Sequence, residues 1–216
     1  MRPADPGAVR AAGPHLEVAE VAFGLGGNAG DVENALRRAL AQLAGSIDGL
    51  RIASLYRSRA VSPLPAQSDF LNTAAIGTTR LPADALLALA KALELGAGRR
   101  RGPRHGPRPL DIDLLLYGGL ASGRPELTLP HPRLAERAFV LAPLAEIAPD
   151  LRVPPEHRTI AELLGRLRTA PGSGREGAAL TCDPSGAALT RGFGGGGGTA
   201  AVERLAWSLD PRPRNA

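Results

Sequence analysis

The stretch PLDIDLLLYGG, Pro109 to Gly119, sets the reading of the whole chain. Side chains alternate along a strand, so Asp111 and Asp113 share one face while Leu110, Ile112, Leu114 and Leu116 take the other. Two carboxylates two residues apart on one face lie about 6–7 Å apart at the backbone. Unpaired, they would repel each other and resist desolvation. A divalent cation bridging to phosphate relieves both problems. So would a pair of structural Asp–Arg salt bridges, and the sequence supplies the arginines at once. RRRGPRHGPR, Arg99 to Arg108, packs five arginines and a histidine into ten residues. Guanidinium forks suit phosphate oxygens, and carboxylate-held metal beside arginines is the equipment of phosphoryl transfer.

Working outward from this strand, the elements fall in the order β-α-β-β-α-β. VAEVAFGLGG (Val18–Gly27) reads as a strand entering a glycine-rich turn. Asp31 is placed to cap a helix over Val32–Ala44, with Val32, Ala35, Leu36, Ala39, Leu40 and Leu43 on one face. Leu50–Arg57 reads as a strand, and the proline-containing loop SRAVSPLPAQSD leads to a further strand, FLNTAAIGTTR. Pro82 and the periodic Leu86, Leu87, Ala90 and Leu93 mark a second helix to about Leu95. This order predicts an α+β fold: a ferredoxin-like antiparallel sheet with both helices on one face, plus a C-terminal helical extension from AERAFVLAPLAEIAP.

The composition bounds the alternatives. The chain has 216 residues, 44% hydrophobic but only 3% aromatic, so its core is built from aliphatic side chains. A net charge of +5 favours an anionic partner, without distinguishing nucleic acid from nucleotide or phosphorylated metabolite. The single cysteine, Cys182, excludes an internal disulfide and a cysteine zinc cluster. The sequence shows neither a signal-peptide core nor a membrane-length apolar run, and it reads as cytoplasmic and soluble; a monomer is expected, though the sequence leaves the oligomeric state open. Residues 1–17 and the tail 169–216, with its run Gly194–Gly198, are expected to be disordered around a domain at 18–168. Within the tail, AVERLAWSLD has the makings of a short helix that is unstable alone.

Several other residues invite a functional reading. GLGGNAGD (Gly24–Asp31) has the character of a phosphate-binding turn before a helix, but lacks the P-loop ending. A tight strand-to-helix turn in which glycines permit close packing is the favoured account of it. Asn72 lies two residues after Phe70, on the same strand face, where a buried amide needs partners. Phe70 and Phe139 are each suited to core packing or to stacking on a flat heterocycle. His131 sits between two prolines. Two alternatives to an enzyme are an RNA-binding ferredoxin-like module and a noncatalytic nucleotide sensor. The first is poorly served by so few aromatics and by acidic residues on the presumed binding strand.

GPRPLDIDLLLYG resembles the signature of the 6-hydroxymethyl-7,8-dihydropterin pyrophosphokinase family. GLGGNAGD, SLYRSRAV, DFLNTA, ALELGAGRRRGPR and LTLPHPRLAERAFVLAPLAEIAPDL resemble its other segments, in order, over roughly Val21 to Leu151. The resemblance implies transfer of the β,γ-diphosphate of ATP to the hydroxymethyl group of the reduced pterin, releasing AMP, in folate biosynthesis. It implies two Mg²⁺ ions on Asp111 and Asp113, with Arg99 and Arg108 also catalytic. ATP is expected on Arg99, Arg101, Arg104, Arg108, Leu114, Thr128, His131 and Arg137. The pterin is expected between Phe70 and Phe139, with Ser58, Val61 and Asn72 reading its edge. No nucleic-acid or membrane partner is expected. Arg59, Ala60, His105 and Pro132 depart from residues frequent in the family.

Overall fold

The computed structural model describes residues 17–60, 67–99, 106–169, 179–180 and 201–208. The first six elements are β1 (Ala19–Gly27), α1 (Val32–Leu43), β2 (Asp48–Ile52), β3 (Ser54–Ser58), β4 (Phe70–Thr79) and α2 (Ala83–Gly96). Then come β5 (Asp111–Tyr117), the hairpin β6 (Ser122–Arg124) and β7 (Leu127–Leu129), a 3-10 turn (Leu134–Glu136) and α3 (Ala138–Ile147). A second small hairpin, β8 (Arg152–Val153) and β9 (Arg158–Thr159), leads to α4 (Ile160–Thr169), β10 (Ala179–Leu180) and β11 (Ala201–Ser208). Among the described residues no helix is long and apolar enough to cross a membrane.

The main sheet runs β10-β11-β3-β4-β1-β5, with β2 also on β4. β1 lies one strand in from the β5 edge, antiparallel to β4 on one side and to β5 on the other. The strand expected over Leu50–Arg57 is divided in two at Ala53. There the amide donates to the Ala74 carbonyl (2.9 Å), and the Ala53 carbonyl accepts from Thr73 Oγ1 (2.9 Å).

Alternation along β1 builds the layers. Val21, Phe23 and Leu25 pack with Leu36, Leu40 and Leu43 of α1 and with Leu86, Ala90 and Leu93 of α2. Ala22 faces the other way and joins Ala74, Ile76, Val140, Leu141, Leu144 and Ile160. Thus α1 and α2 cover one face of the sheet and α3 and α4 the other. Each fully buried leucine in these layers contributes about 1.5–3 kcal/mol, an upper figure because the unfolded chain already hides some surface. Asp31 caps α1 as expected, its Oδ1 accepting the Asn34 amide at 3.1 Å.

One sequence expectation fails inside β5. The register with β1 slips between Ala22 and Phe23, which face Leu116 and Leu114 respectively. Leu115 is the extra residue, a bulge. Leu116 therefore turns to the α3 side with Leu115, while Ile112 and Leu114 stay with α1 and α2. Upstream of the bulge the alternation is intact, so both aspartates face the α3 side.

A second correction concerns the tail. Ala201–Ser208 is neither helix nor structureless: it is a strand antiparallel to β3, with Val202 opposite Ser58 and Arg204 opposite Tyr56. The physical reason is the edge of β3, whose unpaired backbone groups give this segment partners within the fold, whereas an isolated ten-residue helix is marginal in water. A glycine-rich composition upstream does not reveal such an edge.

Candidate active site

The site lies where β5 begins and β1 ends. In the register, Asn72, Gly26 and Asp111 form one row across β4, β1 and β5, and Ala74, Gly24 and Asp113 the next. The middle strand carries glycine at both rows, and the neighbours sit close. A Cβ on Gly26 would lie 2.7 Å from Asn72 Oδ1, and one on Gly27 would lie 2.5 Å from the Pro109 carbonyl oxygen. The Gly-rich turn is thus a close-packing device that leaves the face beside the carboxylates free of side chains.

Both ends of the arginine loop close on Asp111. Arg99 Nη1 reaches its Oδ1 at 2.7 Å and Arg108 Nη1 its Oδ2 at 2.8 Å. Arg99 also pairs with Glu94, on the last turn of α2. Glu94 is buried and accepts the Ile112 amide at 2.8 Å, so it fastens α2 to the strand between the two aspartates. Burial, followed by the repulsion of Asp111, lifts the Glu94 carboxyl above its ordinary range, against the pull of Ile112 N–H and Arg99. These ion pairs are the salt bridges that the sequence allowed as an alternative to metal binding. Arg101, Arg104 and Val61 lie outside the described residues.

Asp113 faces the start of α3. Arg137 Nη1 stands 3.4 Å and His131 Nε2 3.8 Å from its Oδ2. Burial raises the Asp113 carboxyl above the usual aspartate value, Asp111 adds to this, and His131, Arg137 and Arg108 oppose it. His131 is brought over the strand by its own amide, which donates to the Leu115 carbonyl at 2.9 Å. Its Nδ1 accepts the Arg133 amide (3.2 Å), so the neutral ring carries its proton on Nε2, toward Asp113. Burial also pulls the His131 pKa below its ordinary value, which favours that neutral form. Arg137 has its guanidinium carbon 5.6 Å from the Phe139 ring centroid. Its Nε is buried with no hydrogen-bond partner among the described residues.

The pterin candidates gather on the far side of β1. Asn72, 5% exposed, donates from Nδ2 to Ser58 Oγ at 2.9 Å. Phe70, the first residue of β4, pairs with Ser58 and is half-buried. Phe139, in the first turn of α3, packs partly against Tyr56, Ala138 and Ala142. Two nucleotide candidates are placed differently. Leu114 is buried in the α1–α2 core, so only its backbone is available on the carboxylate side. Thr128 sits on the β6–β7 hairpin with its hydroxyl on the Arg124 carbonyl (2.9 Å).

Sequence reasoning missed Asn28. Its Oδ1 accepts the Arg108 amide (2.9 Å), while its Nδ2 donates to Gln67 Oε1 (3.1 Å) and to the Ser68 carbonyl (3.2 Å). One buried amide thus ties the end of the arginine loop to the end of the loop after β3. The available signal was a polar residue inside a glycine turn that packing alone leaves unexplained. Glu94 was missed as well, being hidden in an otherwise apolar helix pattern.

The metal question turns on the donor set. Among the described residues no group of three or more His, Cys, Asp or Glu could hold a metal by itself. Two hard carboxylates of which one resists ionisation still fit Mg²⁺, which binds through one or two carboxylates and completes its shell with phosphate and water.

Comparison with known proteins matches the same stretch. The family model described as 7,8-dihydro-6-hydroxymethylpterin-pyrophosphokinase covers residues 22–149. A Synechocystis protein named 2-amino-4-hydroxy-6-hydroxymethyldihydropteridine pyrophosphokinase is 43% identical over 143 residues, covering 65% of this chain and 72% of that protein. Its Methylorubrum extorquens namesake is 41% identical over 147 residues, 67% of this chain and 91% of that one. Among solved structures, a Plasmodium falciparum HPPK-DHPS triple mutant with pteroate superposes with a TM-score of 0.57 at 13% identity. That match covers 71% of this chain but only 44% of the larger Plasmodium chain, so it speaks to fold alone.

Proposed function

This chain belongs to the 7,8-dihydro-6-hydroxymethylpterin-pyrophosphokinase family, the pyrophosphokinases of folate synthesis, and from that premise we propose how its residues divide the work. The substrates are ATP and reduced hydroxymethylpterin. The pterin hydroxyl oxygen attacks the β-phosphorus, the bond from that phosphorus to the α,β-bridging oxygen breaks, and AMP leaves. We read the scaffold as ferredoxin-like with a C-terminal helical extension, acting as a monomer.

Asp111 and Asp113 are the residues that would hold Mg²⁺, two ions in this reading. Bound there, Mg²⁺ neutralises phosphate charge and polarises phosphoryl oxygens. The rest falls to the protein. Arg99 and Arg108, resting on Asp111, transfer to phosphate oxygens when ATP binds, joined by Arg101 and Arg104. Arg137 turns its partnerless Nε to a phosphate oxygen, a charge-assisted bond in a place closed to water. This buried Nε is the single observation that carries the reading, because among the described residues no neighbour accounts for it. His131, neutral and with its proton on Nε2, donates a second hydrogen bond. Phe70 and Phe139 stack on the pterin ring, and Asn72, with backbone groups near Ser58 and Val61, reads its edge. Positioning and electrostatics supply the acceleration, as is general for phosphoryl transfer.

The test is product analysis with purified protein, ATP, Mg²⁺ and reduced hydroxymethylpterin. AMP and pterin diphosphate are the expected products, and chelating the magnesium stops their formation. Release of ADP in place of AMP would sink the diphosphoryl assignment.

A further inference from the structure

We propose that β11 is a working part of the pterin site, with Val202 and Arg204 as positioning residues for Ser58, Asn72 and Phe139. The inference rests on the assignment of those three residues to the pterin. β11 lies beyond the span of the family model, which ends at residue 149.

β3 has β4 on one side only, and it carries Ser58 at its last position. β11 supplies the other side, with Val202 opposite Ser58, Glu203 opposite Arg57 and Arg204 opposite Tyr56. One row of paired residues then runs unbroken across the sheet: Arg204, Tyr56, Asn72, Gly26, Asp111. Alternation puts the side chains of this row and of the Val202–Ser58 pair on the face shared with α3.

The side chains repeat the connection. Val202 is 1% exposed and forms a small cluster with Tyr56, Ala138 and Ala142, against which Phe139 packs. Behind the aromatic ring offered to the pterin there is thus a residue of the C-terminal strand. Arg204 donates to Ser54 Oγ from Nε (3.1 Å) and from Nη2 (3.0 Å), and Nη2 also reaches Glu146 Oε1 at 3.0 Å. Glu146, on the last turn of α3, accepts in addition from the Ser54 amide (3.1 Å), the Ser54 hydroxyl (2.8 Å) and the Tyr56 hydroxyl (2.9 Å). One end of α3 is therefore fixed to β3 and β11 together, and its other end presents Phe139. The Glu203–Arg57 pair, at 3.9 Å and largely exposed, contributes little and serves as a control.

The experiment measures kcat and KM for each substrate by AMP release, in the full chain and in Val202→Asp, Arg204→Ala, Arg204→Lys and Glu203→Gln. Val202→Asp places a charge against Phe139's support and is expected to raise the pterin KM about tenfold, with the ATP KM held within about twofold. Arg204→Ala is expected to give about a threefold rise, which Arg204→Lys partly reverses by keeping one charge-assisted bond. Glu203→Gln leaves both constants as they are. An unaltered pterin KM in both Val202→Asp and Arg204→Ala overturns the proposal, and so does an equal loss toward both substrates. A wild-type chain that releases no AMP instead removes the premise about the site, and needs no variant to be seen.

Discussion

Replacing Asn28 by alanine tests whether a single buried amide couples the two loops that flank the site. Three hydrogen bonds are lost: to the Arg108 amide, Gln67 Oε1 and the Ser68 carbonyl. At about 1 kcal/mol net for each the ceiling is about 3 kcal/mol. Ser68 is exposed and Gln67 partly so, and water replaces much of what those two groups lose. The Arg108 amide, at the foot of the strand, recovers less. The net cost is therefore set at about 2 kcal/mol, which for a domain of this size lowers the melting temperature by about 4–8 °C. Loosening the Arg108 end is expected to reduce kcat/KM by about tenfold as well, equivalent to about 1.4 kcal/mol of transition-state binding. Asn28→Asp sharpens the comparison. It keeps an acceptor for Arg108 N–H, but it turns a carboxylate toward the Ser68 carbonyl and Gln67 Oε1, so it is expected to be no more stable than Asn28→Ala. Thermal unfolding by circular dichroism reads the first quantity and AMP release the second. An Asn28→Ala protein that melts within about 1 °C of wild type and turns over normally would refute the coupling.

Four further outcomes are expected. Gly27→Ala drives a methyl against the Pro109 carbonyl, 2.5 Å away, and should cost about 1–3 kcal/mol in denaturant unfolding. Gly24→Ala meets only the Leu115 side chain, at 3.4 Å, and should cost less than about 1 kcal/mol in the same measurement. Asp113→Asn should lower AMP release by about a thousandfold or more without lowering the melting temperature at neutral pH. The sign follows from its carboxyl, which burial raises above the ordinary value: such a group favours the fold while protonated, and that contribution is lost as pH rises through the folded-state pKa. Glu146→Ala takes the acceptor from the Ser54 amide and hydroxyl and should destabilise by about 2–4 kcal/mol, read by chemical denaturation.

The local signals in the sequence were sound wherever one element decides its own fate. Asp31 caps α1, the two helices fall within a residue or two of their periodic patterns, and the aspartates share a face. The Leu115 bulge was not legible, because it is a mismatch between β5 and β1 rather than a property of either. The same holds for the break at Ala53 and for β11, which depends on an edge that exists only after β3 and β4 have paired. In the site, the charged residues announced themselves by density. Their partners did not: Asn28 and Glu94 act through backbone amides of distant residues, Arg108 and Ile112, and no spacing along the chain reports that. The sequence left Asp–Arg salt bridges and phosphate binding both open for the arginines, and the fold holds Arg99 and Arg108 on Asp111.

The bulge at Leu115 divides β5 into two stretches that answer to different constraints. Ahead of it, Asp111 and Asp113 are locked in phase with Gly26 and Gly24. Behind it, Leu116 and Tyr117 are in phase with Ala22 and Val21. A slipped residue at the join absorbs changes of volume or length on the hydrophobic side before they reach the carboxylates. An inserted or deleted residue ahead of the join would carry Asp111 and Asp113 out of phase with Gly26 and Gly24, whereas one at the join meets a ladder that is already irregular.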